Sequence, residues 1–161
     1  LKLDLSTGVY TDMFAPSESS GYYNFSFSNG DTYLAYFETW REQQALMLLD
    51  MSSGKISETS LDPKYSGAGH IIWSPDNMLV AFSAQSGAEC ETMTYDIIVL
   101  DMNTHRQRSI LSDDPLFHRP IQWLDENHIL VSVRFTEEYY ALNIQTGELS
   151  PHVKIIPSKT P

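Results

Sequence analysis

The amino-acid sequence predicts an all-β protein, a β-propeller of about three and a half four-stranded blades. Three observations predict this fold class. One turn pattern occurs four times, a second pattern of an aromatic residue, a turn and an apolar strand occurs three times, and no long segment has the apolar period of a helix. About three and a half blades amount to half, or a fragment, of a propeller with roughly six to eight blades.

The first repeated pattern consists of apolar residues, then Asp or Asn, then a small polar turn. Its Asp or Asn falls at four positions spaced by 46, 51 and 42 residues: Asp4, Asp50, Asp101 and Asn143. Three of the turns end in Gly, which favours a tight hairpin with a positive φ. The remaining turn has His105 in place of Gly, and we expect His105 to adopt the same conformation.

The second repeated pattern begins with an aromatic residue at Phe27, Trp73 and Trp123, at spacings of 46 and 50 residues. Each aromatic residue is followed by a turn and an apolar strand. A four-stranded sheet has two apolar faces and covers neither alone, whereas stacked blades cover each other. We therefore expect these three aromatic side chains to fill the space between neighbouring blades.

Each repeat is predicted to contain four strands, rich in β-branched and aromatic residues and separated by turns of Gly, Asn, Asp and Pro. In the second full repeat the predicted strands are 69–73, 78–83, 95–101 and 107–111. Residues 43–49 of the first repeat would suit a helical turn in isolation, but their place in the repeat predicts a third strand. The alternative fold is an open β-sandwich of about twelve strands, which is disfavoured because sandwiches rarely repeat their sequence.

The repeats divide the single propeller region, residues 1–161, into partial and whole blades. Residues 1–13 supply only the third and fourth strands of a blade, whole blades cover about 21–61, 67–111 and 117–153, and the tail 154–161 is too short for two further strands. The edge is therefore open and leaves backbone groups unpaired. We expect either a fragment of a longer protein, which we favour, or a homodimer in which two copies complete the ring.

Residues 73–77, Trp-Ser-Pro-Asp-Asn, followed by the strands at 79–83 and 96–101, resemble the TolB-type, WD-like propeller repeat. The first repeat lacks the Pro and the third lacks both Ser and Pro. This resemblance covers roughly residues 1–153 and implies a propeller fold and a periplasmic or extracellular protein. It implies little about function, because the family includes scaffold proteins, sugar-processing enzymes and the propeller gates of prolyl-oligopeptidase-type serine peptidases.

Composition and charge exclude several classes of function. The 161 residues include 10 Lys and Arg against 21 Asp and Glu, a formal net charge of −11, which argues against a nucleic-acid partner and an anionic membrane surface. No apolar run approaches the roughly 18 residues of a membrane-spanning helix, so no membrane insertion is expected. The single cysteine, Cys90, excludes an internal disulfide and a multi-cysteine zinc site, and its acidic neighbours make a nucleophilic role improbable. The chain begins at Leu1, and we expect a mature product or a piece of a longer protein.

Acidic residues are concentrated in the loops predicted to share one face of the propeller. This acidic face, which Arg41 and Lys64 only partly offset, favours a basic partner or simply keeps the protein soluble. Its carboxylates are Glu18, Glu38, Glu42, Asp62, Glu89, Glu91, Asp113, Asp114, Glu137 and Glu138.

A second set of residues is predicted to rim the central channel, because they lie just before or within the first strands. These residues are Tyr22, Tyr23, His70, His118 and Arg119. Both histidines are at non-identical repeat positions, so we predict hydrogen-bonded rim residues, with no metal site and no cofactor.

The sequence contains no nucleophile elbow, phosphate-binding glycine loop or metalloprotease motif. We therefore expect a non-catalytic β-propeller binding or scaffold module for a protein segment or small ligand, and lean against enzymatic activity for this chain alone. Two alternatives stay open: the propeller gate of a prolyl-oligopeptidase-type serine peptidase, and a propeller enzyme with its site in the central channel.

Overall fold

The structure, a computed structural model, describes residues 2–3, 10–11, 20–40, 43–87 and 92–152. Within these ranges the regular structure is β-strand except for one short 3-10 turn, Asn29–Asp31. The strands form one two-stranded hairpin and three four-stranded antiparallel sheets, each with its strands in chain order. The predicted all-β propeller class, in the form of a propeller fragment, is confirmed.

We call the three sheets blades 1, 2 and 3. A short hairpin of β1 (Lys2–Leu3) and β2 (Tyr10–Thr11) precedes them. Blade 1 contains β3 (Ser20–Phe27), β4 (Tyr33–Trp40), β5 (Gln43–Asp50) and β6 (Ile56–Ser60). Blade 2 contains β7 (Tyr65–Trp73), β8 (Leu79–Ser86), β9 (Thr94–Asp101) and β10 (Gln107–Asp114). Blade 3 contains β11 (His118–Trp123), β12 (His128–Val133), β13 (Tyr139–Asn143) and β14 (Leu149–Pro151).

The segment 43–49, which suits a helical turn in isolation, is the third strand of blade 1, as its place in the repeat predicts. The four strands predicted in the second repeat are all present, but β7 begins four residues earlier, at Tyr65, and β10 extends to Asp114. These extensions matter because they shorten the loops at the end of the sheet where the candidate site lies. The tail from residue 153 onward lies outside the described residues.

The core consists of two apolar layers, one on each face of blade 2. Alternate residues of β8 point to opposite faces, so Phe82 packs towards blade 1 and Ala81 towards blade 3. Between blades 1 and 2, Phe37 meets Phe82 edge-on with ring centroids 5.4 Å apart. Between blades 2 and 3, the largest fully buried side chains belong to both sheets: Ile97, Val99, Ile129, Leu142 and Ile144.

The repeated aromatic residues point towards the preceding blade. Trp73 is 8% exposed in the layer between blades 1 and 2, and its indole Nε1 donates to the carbonyl of Ser26, 3.1 Å away. Trp123 packs against the layer between blades 2 and 3, but its buried Nε1 has no hydrogen-bond partner among the described residues. The prediction for Phe27 is wrong within the described structure: its side chain is 54% exposed. Phe27 pairs with Leu34 on the face turned away from blade 2, where no whole blade precedes it.

The repeated Asp or Asn closes the turn between the third and fourth strands of every blade. In blade 1, Asp50 Oδ1 accepts hydrogen bonds from the backbone N–H groups of Ser52 and Ser53, at 2.8 and 3.0 Å. Asp101 and Asn143 make the same two contacts in blades 2 and 3. His105 has φ 53°, beside 71° and 75° for the equivalent glycines of the other blades, which confirms that it adopts the glycine conformation.

An asparagine pair connects blades 1 and 2 at this same end of the sheets. The backbone N–H of Asn29 donates to Asn77 Oδ1 at 2.9 Å, and Asn77 Nδ2 donates to the Asn29 carbonyl at 2.9 Å. The Asn29 side chain also donates to the carbonyls of Ser74 and Pro75. These contacts fix the angle between the two sheets in addition to their apolar packing.

Replacing Phe82 with Ala is expected to lower the free energy of unfolding by about 3–5 kcal/mol, because it opens a cavity between two blades. Urea unfolding followed by tryptophan fluorescence and circular dichroism measures the change. Phe135→Ala is the matched control: Phe135 is 90% exposed, so the same truncation is expected to cost less than about 0.5 kcal/mol. Equal effects of the two substitutions would contradict the assignment of this layer as the core.

Candidate functional site

A cavity of about 150 Å³ lies where the first strands of the blades come together. Strand β7 contacts both β3 and β11, so these first strands form the inner edge of the three sheets. The cavity is lined by Asn24, Gly67, Ala68, Gly69, His70, Ser83, Gln85, Tyr95 and Phe117.

Two bulged residues shape the inner edge. Asn24 and His70 have φ values of 55° and 56°, and each lies at a shift in the strand register. Bulges of this kind redirect a side chain and are frequent next to binding sites. Gly69 allows a close approach beside them, because a Cβ at this position would lie 3.0 Å from Asn24 Nδ2 and the Asn24 side chain would have to shift.

The His70 ring is oriented by a hydrogen bond. Its Nδ1 lies 3.0 Å from Ser83 Oγ, and that hydroxyl donates to the Gly69 carbonyl at 3.1 Å. Because the single hydroxyl proton goes to Gly69, Nδ1 is the donor, and the neutral ring keeps its lone pair on Nε2. Partial burial, followed by the charges of Arg119 and Arg134, lowers the pKa of His70 below its usual value of 6.5.

Aromatic rings continue from His70 out to the loop surface. Phe117 lies edge-on to His70, with centroids 5.7 Å apart, and its ring contacts Tyr95 at 3.8 Å. The Arg134 guanidinium lies 5.2 Å from the Phe117 ring and 4.5 Å from the Phe135 ring. Phe117 and Phe135 have φ values of 51° and 64°, which are rare for bulky residues and are typical of functional sites.

Two arginines lie close to His70 beside this cavity, although the chain is strongly acidic. Arg119 donates from Nε to Ser132 Oγ at 2.9 Å, and Arg134 contacts the two phenylalanine rings. Among the described residues no carboxylate forms an ion pair with either arginine; the ion pairs there involve Lys64, His118 and His128. Two guanidinium groups are thus left without a carboxylate partner from that part of the chain.

Buried Asp96 holds together the loops around this site. Asp96 is fully buried, and its carboxylate accepts hydrogen bonds from Lys64 Nζ at 3.0 Å, the Tyr65 hydroxyl at 2.5 Å and the backbone N–H of Asp113 at 2.9 Å. Burial alone would raise the pKa of Asp96, but these donors outweigh it and hold the pKa below its usual value. Burial and the Asp96 bond raise the pKa of Tyr65 to about 12, so its hydroxyl stays a donor.

His118 and Asp114 form a second buried pair. His118 Nδ1 lies 2.7 Å from Asp114 Oδ2, and both residues are almost fully buried. The backbone N–H groups of Leu116 and His118 also donate to this carboxylate. The sequence predicted His118 as a hydrogen-bonded residue of the channel rim and Asp114 as part of the acidic face. The structure buries both side chains and pairs them with each other, so Asp114 adds no exposed charge to that face.

The other residues predicted for the channel rim divide between the site and the core. Of that set, His70 and Arg119 lie at the site. Tyr23 stacks on Phe37 and donates from its hydroxyl to Gln44 Oε1 at 2.8 Å, which places it in the packing between blades 1 and 2. Tyr22 lies edge-on to Tyr36, on the opposite face of blade 1.

The predicted acidic face is only partly described. Asp62, Asp113, Glu137 and Glu138 are exposed and Glu38 is half-buried. Glu18, Glu42, Glu89 and Glu91, together with Cys90, lie outside the described residues. A larger cavity of about 610 Å³ lies by the outer strands of blade 1 and includes Glu38, Glu58 and Asp62 in its lining. We place the candidate site at the smaller cavity, because Ser83 orients the ring of His70 there and two arginines without an ion-pair partner among the described residues lie close to that ring.

Sequence reasoning missed Arg134, Phe117, Phe135 and Tyr95. The pairing of β11 with β12 brings the residues flanking these strands together, and the Arg134 N–H donates to the Phe117 carbonyl at 3.2 Å. The sequence offered one signal for these residues: Arg134 and Phe135 follow a predicted strand and belong to the same hairpin as Arg119.

Within the described residues, no group of three or more His, Cys, Asp or Glu side chains is placed to hold a metal ion. In the same ranges, His118 and His128 each bond to an aspartate and His70 bonds to a serine. No helix in the described part of the chain is long and apolar enough to cross a membrane.

No family model matches the chain, and no curated protein matches it. Solved structures with a similar fold include TolB from Acinetobacter baumannii, at 16% identity and a TM-score of 0.63 over 82% of this chain and 32% of TolB. Oligogalacturonate lyase from Vibrio parahaemolyticus is similar at 13% identity and a TM-score of 0.68, over 92% of this chain and 44% of the lyase. A prolyl endopeptidase is similar at 13% identity and a TM-score of 0.62, over 86% of this chain and 23% of the peptidase.

These similarities show the class of fold, which is part of a β-propeller. At the level of the fold the chain is similar to TolB and to propellers of other functions. The chain spans between 23% and 44% of the length of these three proteins.

Replacing Asp96 with Asn is expected to lower stability at neutral pH and to flatten its dependence on pH. A carboxylate with a lowered pKa in the folded state stabilises the protein above the unfolded pKa of about 3.9, and this contribution is lost as the pH falls. Urea midpoints measured between about pH 7 and about pH 3 test this expectation. Glu126→Gln, at an exposed turn of blade 3, is the control, and an Asp96→Asn protein as stable as wild type at pH 7 would contradict the assignment.

Proposed function

We propose that this chain is part of a β-propeller binding module that binds a carboxylate-bearing ligand at the inner edge of blades 2 and 3. The observation that carries the proposal is the pair Arg119 and Arg134, which have no carboxylate partner among the described residues and lie beside the oriented ring of His70. Arginine binds carboxylates through parallel hydrogen bonds, which makes a carboxylate the matching ligand group.

The surroundings of the arginines support binding of an anion. The guanidinium carbon of Arg134 lies 5.2 Å from the centre of the Phe117 ring and 4.5 Å from that of the Phe135 ring, and its N–H groups are the donors for a ligand. Ser132 takes one donor of Arg119, at Nε, so the terminal nitrogens of that side chain are the donors for a ligand. Aromatic surface also reduces competition from water, which strengthens a charge-assisted hydrogen bond.

The rest of the ring and the location of the protein belong to the same proposal. The chain spans less than half of its structural neighbours, so we propose that the remaining blades come from a longer protein, with a homodimer as the alternative. The similarity to TolB supports a periplasmic or extracellular location. The acidic face and its basic partner remain a separate prediction. That prediction concerns the carboxylates of the loops and not the two arginines.

Succinate serves as the probe of the carboxylate site, with affinity measured by isothermal titration calorimetry. Arg134→Met is expected to weaken binding by about 10-fold or more, because a hydrogen bond to a charged group contributes about 1.5–3 kcal/mol. Arg119→Gln is expected to act in the same direction. Arg106→Met, an exposed arginine in the β9–β10 turn at the opposite end of blade 2, is the control. Absence of succinate binding, or equal loss in the Arg106→Met protein, would overturn the proposal.

Succinate binding is also expected to tighten as the pH falls from about 8 to about 6.5, a range in which succinate stays mostly dianionic. The pKa of His70 is lowered in the free protein, so its ring is neutral at pH 7, and a bound carboxylate favours the protonated ring. Calorimetry in two buffers of different ionisation enthalpy measures the proton uptake. His70→Gln is expected to remove most of the pH dependence, and tighter binding at the higher pH would contradict the role of His70.

A further inference from the structure

The size of the inner cavity indicates that it accepts only the end of a ligand. At about 150 Å³ it is well below the roughly 300–1,000 Å³ of pockets that enclose whole small molecules. A cavity of this size holds one small side chain or a terminal carboxylate. The rest of a ligand that enters it therefore extends along the surface of the loops outside.

That surface carries exposed apolar side chains. Leu116 is 58% exposed in the β10–β11 connection, and Phe135 is 90% exposed in the β12–β13 connection. The two connections are joined where the Arg134 N–H donates to the Phe117 carbonyl and where the guanidinium contacts both phenylalanine rings. Exposed apolar side chains around an arginine are typical of the centre of a protein-binding surface.

We propose, on the basis of the proposed function above, that the ligand is an extended segment of a partner protein that places a carboxylate at Arg119 and Arg134 and apolar side chains on Leu116 and Phe135. Charge complementarity selects the carboxylate, and the exposed Leu116 and Phe135 side chains select its apolar neighbours. The carboxylate comes either from an acidic side chain or from the carboxyl terminus of the partner, and the two sources share this chemistry.

Four unlabelled peptides, titrated into the full chain and followed by isothermal titration calorimetry, test this proposal. The first is Gly-Ser-Gly-Leu-Leu with a free carboxyl terminus, and the second is its amide. The third is the amide of Gly-Ser-Leu-Leu-Glu, which carries only a side-chain carboxylate, and the fourth is Gly-Ser-Gly-Ser-Ser with a free carboxyl terminus. The first or the third is expected to bind about 10-fold or more tightly than the second and the fourth, and the tighter of the two identifies the source of the carboxylate.

Leu116→Ser separates this inference from the proposed function. It is expected to weaken binding of the tighter peptide by roughly 10-fold while succinate binding stays unchanged, because Leu116 offers exposed apolar surface and no charged donor for a carboxylate. Met78→Ser is the matched control, since Met78 is 40% exposed in the β7–β8 turn at the opposite end of blade 2. The inference is overturned if the Leu-Leu amide or the Ser-Ser peptide binds as tightly as the best carboxylate peptide, or if Leu116→Ser has no effect. If the inference fails but succinate still binds, the proposed function stands. If neither the peptides nor succinate bind, the proposed function is overturned as well.

Discussion

The structure depends on the burial of one sheet face against the next. Blade 2 is apolar on both faces, and the strand Thr94–Asp101 at its centre is almost continuously buried. A sheet of this kind exists in water only when a second sheet covers each face, because each square ångström of apolar surface left in water costs about 25 cal/mol. Blades 1 and 3 provide that cover, and their stacking in turn brings the first strands β3, β7 and β11 together. The candidate site is a consequence of this convergence.

The fold could be predicted because its determinants recur along the chain. The Asp or Asn at 50, 101 and 143 makes the same two backbone contacts in every blade, so copies of one short pattern reveal equivalent turns in the three blades. Repetition also settled the strand at Gln43–Asp50, whose local sequence suits a helix. The prediction for Phe27 was wrong because the pattern identifies an equivalent position but does not reveal whether a neighbouring blade is present beside it.

The site was less accessible to sequence reasoning, because its members do not share repeat positions. Arg119 and Arg134 are brought together by the register of one hairpin, and His70 is turned towards them by a bulge that the sequence does not mark. Burial had equally large effects on the acids. Asp114 was predicted as part of the acidic face, yet it is buried, and Asp96 is a second buried carboxylate that holds loops in place. A count of acids in the loops does not reveal which of them are buried.

The position of two arginines without carboxylate partners in a chain of net charge −11 has a kinetic consequence. An approaching anion first meets the electrostatic field of the whole protein, which repels it because the net charge is negative. The attraction of the guanidinium groups dominates only within about one Debye length, roughly 10 Å at 0.1 M salt. Moderate salt screens this outer repulsion more than the attraction at contact distance. For the proposed anionic segment we therefore expect association that is slow in dilute buffer and accelerates as ionic strength first rises, the reverse of ordinary electrostatic steering.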